Sequence, residues 1–253
     1  MRLLAVSILL VSLGSGLAAG ERSRKGDLIV SLDGAISPLA LPRDRAAPIA
    51  VHLRGGLQRV GGELLPRVTR VELGLPAQGV LSTKGLPTCS QRLLRDAKPG
   101  EALAVCRTAL IGRGRLEAQI RIPRQEPFTI SARLLAFNGR AGKRRAAILH
   151  AYAPQPPTVV VLPFYVSRQP GRFGISLTAN LPRALGPWPR FADFELTLTR
   201  RYLFQGERRS YLSASCPIPE RNTAGFFSLA KMTLTLANGR GISTGIARSC
   251  RAR

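Results

Sequence analysis

The chain has 253 residues, 38 of them Lys or Arg and 14 Asp or Glu, for a formal net charge of +24, and 45% of it is apolar. That apolar fraction excludes wholesale disorder, and the length accommodates one large domain or two modest ones. A charge so far from zero favours anionic partners: nucleic acid, acidic lipid, or the phosphate-rich and carboxylate-rich polymers of a cell envelope.

The chain opens MRLLAVSILLVSLGSGLAAGERSRKG. One Arg, an apolar run from Leu3 to about Leu17 and small residues before a charged cluster are the layout of a secretory signal peptide, spanning residues 1–20 with cleavage before Glu21. Cleavage after Ala19 is the close alternative. An uncleaved anchor fits less well, because the run holds Gly14, Gly16, Ser7, Ser12 and Ser15, and spanning needs about 20 mainly apolar residues. Removing the leader takes away Arg2 alone and leaves +23. No later segment is apolar enough to span: Thr158 to Val166, TVVVLPFYV, is strand-sized.

Past the leader the dominant period is two, the mark of half-buried strands. The apolar sets are Ile49, Val51, Leu53; Val71, Leu73, Leu75; Leu116, Ala118, Ile120, Ile122; and Phe128, Ile130, Ala132, Leu134. The second half repeats the habit with Phe173, Ile175, Leu177, Ala179, Leu181; Phe194, Leu196, Leu198; and Ala230, Met232, Leu234, Leu236. Turn signals separate them: NGR after Phe137 and after Ala237, and QGERR after Phe204. The fold class is all-β. One stretch breaks the alternation, Cys89 to Gly112, where Ser90 is placed to cap one short helix and Gly100 with Glu101 to open another.

The prolines of Ala153 to Thr158, APQPPT, mark a boundary, since consecutive prolines remove donors and stiffen the chain. The expected architecture is therefore two packed β-sandwich-like domains, 21–153 and 158–253, joined by a linker at 154–157. A single larger sandwich is the second choice.

Four cysteines in an exported chain read as two disulfides, with three possible connectivities. Pairing neighbours, Cys89 with Cys106 and Cys216 with Cys250, keeps each link within one half. Zinc sites bring cysteines closer together or match them with histidines, and neither pattern occurs. A thiol nucleophile needs a base, and only His52 and His150 are available. His52 falls on a polar strand face, and His150 shares its face with Ile148 and Tyr152 as a hydrogen-bonded, partly buried ring.

Two motif matches mislead. Gly241 to Gly245, GISTG, has the pattern of a nucleophile elbow, but the acid and His that should follow are missing. Ser228 to Lys231, SLAK, has the Ser-x-x-Lys spacing of penicillin-interacting enzymes, yet it alternates as a strand, which sends its two ends to opposite faces. Asp193 and Glu195 share a wet face and make a poor acid and base pair. No catalytic residue, metal ligand or cofactor site emerges.

Basic residues concentrate locally at Lys143-Arg144-Arg145, Arg200-Arg201 and Arg208-Arg209. Aromatics accompany them in one hairpin, RRYLFQGERRSYL, which makes Arg200, Arg201, Tyr202, Arg208, Arg209 and Tyr211 the candidate contacts for an anionic ligand.

The signal peptide, GLPTCS at Gly85 to Ser90, FNGR at Phe137 to Arg140 and RSYLSASCP at Arg209 to Pro217 together resemble those of uncharacterised exported β-rich proteins of actinobacteria. The resemblance implies export and a shared fold, and transfers no catalytic residues. The expected function is a non-enzymatic, exported cell-envelope protein adhering to anionic envelope polymer or to another envelope protein. The alternative is an extracytoplasmic hydrolase of envelope glycan or lipid. Export disfavours nucleic acid as the partner.

Overall fold

The computed structural model describes residues 20–62, 64–182, 186 and 188–253. The expected leader therefore lies, but for Gly20, outside the described residues. The first half contributes strands β1 (Glu21–Lys25), β2 (Leu28–Ser37), β3 (Ala40–Leu41), β4 (Ala47–Pro48), β5 (Ala50–Arg59), β6 (Val68–Leu75), β7 (Gly79–Leu81) and β8 (Cys89–Ser90). Two helices follow, α1 (Gln91–Leu94) and α2 (Pro99–Cys106). Then come β9 (Leu110–Ile120), β10 (Phe128–Ala141), β11 (Arg144–Pro154), β12 (Pro157–Arg168), β13 (Ile175–Asn180) and β14 (Pro189–Leu198). The chain ends with β15 (Arg201–Phe204), β16 (Glu207–Ser210), β17 (Leu212–Ala214), β18 (Ala224–Leu236) and β19 (Gly241–Ala252). The all-β class holds.

The two-domain expectation does not. One large sheet runs β1-β2-β5-β14-β9-β10-β11-β12-β13-β6-β18-β19-β3. In it β14, from the second half, lies between β5 and β9, and β6, from the first, lies between β13 and β18. Strands of both halves thus share one hydrogen-bonded ladder, and the small sheet β4-β17-β7 mixes the halves as well. The proline-rich stretch is the tip of the β11–β12 hairpin, with Pro154 opposite Pro157. Prolines without donors suit a hairpin tip as well as a linker.

The sheet curls until its ends face each other. Arg248 of β19 donates from Nε to the Gly34 carbonyl at 2.6 Å, its Nη2 meets the Asp33 carboxylate, and Lys25 Nζ donates to the Gly241 carbonyl at 2.8 Å. Side chains rather than a backbone ladder close this seam. Gly114 permits the tight packing of β9 on β14, for a Cβ there would lie 1.8 Å from the Glu195 carbonyl oxygen.

One end of the curl is plugged. A small sheet, β4-β17-β7, and the β15-β16 hairpin lie at the end where β5 and β9 begin and β14 finishes. Tyr211, Leu212, Cys216, Leu41 and Leu86 join the buried core there. Cys216 bonds Cys250, and Cys89 bonds Cys106, the neighbour pairing. Two disulfides fit an oxidising compartment.

The helices form where the alternation failed. Ser90 Oγ caps α1 by accepting from Arg92 N at 3.3 Å, and the Glu101 carboxylate accepts from Lys98 N at 2.7 Å ahead of α2. Both pack on the outer face of β10 and β11, where Leu94, Ala102, Leu135, Phe137 and Ile148 make a second, smaller core. The NGR after Phe137 is not a turn: it lies inside β10, and the chain reverses two residues later, at Gly142-Lys143. The NGR after Ala237 and the QG after Phe204 do turn, with Gly239, Gln205 and Gly206 at positive φ.

Candidate functional site: an apolar cavity

Eleven strands of the path, apart from β1 and β3 at its ends, form the wall. Barrels of about eight strands are filled by their own side chains, and wider ones leave space. The space here lies toward the unplugged end, a cavity of about 570 Å³ walled by β6, β9, β10, β11, β12 and β14. Ligand sites span about 300–1,000 Å³.

The wall is built in layers by the register. Leu196 of β14 faces Gly114 of β9, which faces Leu134 of β10, then Ala151 of β11, then Val160 of β12. Toward the open end Phe191 faces Ala118, which faces Ile130. Four alanines, Ala118, Ala132, Ala151 and Ala153, thin the wall and widen the space. Among the described residues no charged side chain lines it, and Thr158 and the Trp188 indole are the polar groups on offer. These are the positions that the period-two pattern assigns to an inward apolar face. The pattern does not reveal that they face a void, because a filled core and an empty one need the same alternation.

Aromatic and aliphatic groups stand exposed at the mouth: Ile122 (38%), Phe128 (38%) and Trp188 (40%). Trp188 is the chain's single tryptophan. Its carbonyl accepts from Arg121 N at 3.2 Å, which ties the approach to β14 against the end of β9. Around these groups stand arginines. Arg121 and Arg124 lie in the exposed β9–β10 turn, Arg67 leads into β6, and Arg190 sits between the cavity-lining Pro189 and Phe191. Burial lowers the pKa of Arg190, and the charges of Arg67 and Arg121 lower it further. A second, shallower recess of about 540 Å³ adjoins the mouth, where Thr129, Ser131 and Gln155 add polar groups beside Phe128 and Pro156.

The residues nominated from sequence lie elsewhere. Arg200, Arg201, Tyr202, Arg208 and Arg209 are at the plugged end. Arg201 and Arg208 are exposed. Arg200 donates to the Thr108 carbonyl at 3.0 Å, Tyr202 Oη to the Lys84 carbonyl at 2.9 Å, and Arg209 to Glu207 at 2.7 Å. Tyr211 is a correction: it is 2% exposed, and burial pushes its hydroxyl pKa well up, so it belongs to the core and not to an outward contact set.

The hydrolase alternative finds its best side chains on the outer face of β5 and β14. His52 Nδ1 is 3.0 Å from Thr197 Oγ1, and its Nε2 is 3.9 Å from Glu195 Oε1. That order mimics a nucleophile, base and carboxylate. The second distance is beyond hydrogen-bond reach, and Arg115 shares Glu195 at 3.4 Å. His150 is fully buried beneath α1, with Nε2 donating to the Ala97 carbonyl at 2.7 Å. GISTG opens β19 and SLAK lies within β18, both as strand. Among the described residues no group of three or more His, Cys, Asp and Glu converges to hold a metal ion, and no helix is long and apolar enough to cross a membrane.

The fold and site define a curled β-sheet protein with an internal apolar cavity open at one end. Comparison with protein-family models, curated proteins and solved structures finds no match.

Proposed function

We propose that the protein is an exported, non-enzymatic binding protein of the cell envelope, and that its cavity takes the hydrocarbon part of an amphiphile, an acyl chain being the simplest occupant. The observation that carries this reading is the wall: twenty-four described residues, none of them charged, around about 570 Å³. An apolar wall favours apolar guests, because their transfer out of water is what the site rewards. Each methylene transferred from water contributes about 0.8 kcal/mol. The ligand's polar end has the mouth available, where Thr158 and the Trp188 indole offer hydrogen bonds.

Trp188 supplies the test. Saturated fatty acids of increasing length are titrated into the oxidised protein while its single tryptophan is followed by fluorescence. Emission should shift to the blue, and affinity should rise about tenfold for each two carbons until the cavity is full. Affinity independent of chain length removes the reading.

A second reading, adhesion to anionic envelope polymer, rests on Arg201 and Arg208, exposed on the β15–β16 hairpin with Leu203 at 69%. Changing Arg200, Arg201, Arg208 and Arg209 together to Gln should then weaken retention on purified polymer; unchanged retention removes the hairpin.

A further inference from the structure

We infer that the open end of the curl is a docking face for an anionic lipid bilayer, which places the mouth of the cavity against the membrane. This rests on the acyl-chain reading for its purpose but on separate observations for its geometry.

Two kinds of side chain meet at the mouth, and their combination is what a lipid surface recognises. Ile122, Phe128 and Trp188 are exposed at the mouth although each also lines the cavity. Solvent-facing apolar groups gathered at one place mark an interaction site, and an amphipathic indole such as that of Trp188 favours the headgroup level of a bilayer. Arg67, Arg121 and Arg124 are exposed around them, with Arg190 behind. The turn carries its own emphasis, since Arg124 holds a left-handed φ of 64°, rare for a side-chain-bearing residue. The acids of this end are few among the described residues: Asp27 is engaged by Arg59 at 2.5 Å, and Glu126 stands in the same turn as Arg124. Basic groups at a leaflet rich in anionic lipid each contribute about 1 kcal/mol of attraction. A neutral bilayer lacks the charge, and a soluble polyanion lacks the apolar layer.

The plugged end offers an internal control, because it is also basic but lies on the far side of the molecule. Matched variants are therefore compared: Arg67→Gln, Arg121→Gln and Arg124→Gln combined at the mouth, against Arg95→Gln, Arg201→Gln and Arg208→Gln combined away from it. All six side chains are exposed. The chain from residue 21 onward is used, because an apolar leader would itself enter lipid; among the described residues the buried core begins at Leu28. Binding to vesicles of phosphatidylcholine with and without a third of phosphatidylglycerol is read by sedimentation, with heparin as a second anionic surface.

Binding should need the anionic lipid. The mouth variant should lose about a hundredfold in partitioning while the matched variant changes less than about threefold. A third variant, Phe128→Ser with Trp188→Ser, should weaken binding to vesicles and leave binding to heparin unchanged. Equal losses from the two charge variants overturn the inference, since the attraction is then a property of the net charge. So does a mouth variant that loses vesicles and heparin alike while the Phe128 and Trp188 variant loses neither, which makes the face a polyanion site. Docking that persists while fatty-acid affinity shows no dependence on chain length refutes the cavity reading alone; the converse refutes docking alone.

Discussion

The Asn138 side-chain amide donates to the Pro87 carbonyl at 2.8 Å, from inside a strand to a loop fifty-one residues earlier. The same nitrogen lies 3.2 Å from the Leu86 carbonyl. One residue on, Gly139 pairs with Cys89, and a Cβ at Gly139 would sit 2.6 Å from the Cys89 carbonyl oxygen. FNGR and GLPTCS are therefore two halves of one contact. Three residues before GLPTCS, Ser82 N donates to the Tyr211 carbonyl of RSYLSASCP at 2.9 Å. Asn138→Leu should orphan two carbonyls and lower the unfolding free energy by about 2 kcal/mol, seen as a shifted denaturant midpoint with an unchanged slope.

Filling the cavity should separate binding from stability. Ala118→Phe on β9 and Ala151→Phe on β11 each project a ring into space that the wild-type leaves open, from strands on either side of β10. Fatty-acid affinity should fall at least tenfold in each, while the melting temperature stays level or rises because void is replaced by contact. A parallel fall in melting temperature would show that the space is smaller than it looks.

The two disulfides should differ in consequence. Chain entropy assigns about 3 kcal/mol to the 17-residue separation of Cys89 and Cys106, and nearer 4 to the 34-residue separation of Cys216 and Cys250. Cys89 and Cys106 belong to the small core under the helices, outside the wall, so replacing both with Ser should cost stability and spare binding. Cys216 and Cys250 belong to the main core, and their replacement should loosen the plugged end. Thermal melts with fatty-acid titration read both effects.

Two acids should respond to pH with opposite sign. The Arg59 hydrogen bond holds Asp27 below the usual carboxylate range. Its contribution is present above the unfolded value and is lost as pH falls through the folded one, so Asp27→Asn should lose more at about pH 6 than at about pH 2. Burial pushes Asp193 up against the pull of Arg54, with Glu117 and Glu195 adding to the rise. Protonated Asp193 suits the fold and the carboxylate opposes it, so its stabilising contribution is present at low pH and lost as pH rises through the folded value. Asp193→Asn should gain relative to wild-type between about pH 3 and about pH 7, as read by melts across that range.

The strands were legible because alternation is a local property. Phe194, Leu196 and Leu198 against Asp193, Glu195 and Thr197 could be read directly, as could the capped helices around Pro99. The turn assigned to FNGR failed because Asn and Gly also serve a strand that must accept a second backbone close by, which needs a partner segment far away in the chain. The proline boundary failed for a related reason. Pro154 to Pro157 says only that hydrogen bonding stops, and whether a linker or a hairpin follows depends on where β12 finds its neighbour.

By itself, then, the sequence determined the all-β class, the inward and outward faces of the strands, the short helices and the excess of positive charge, all of which follow from residue type and short spacing. Only the tertiary structure decided that both halves share one sheet, that this sheet curls around a space its side chains do not fill, and that Arg67, Arg121 and Arg190 meet beside Trp188. Such features depend on strand count, closure and register between distant segments. A local pattern carries none of these, because the same inward-facing leucine serves equally well in a packed core or on the wall of a cavity.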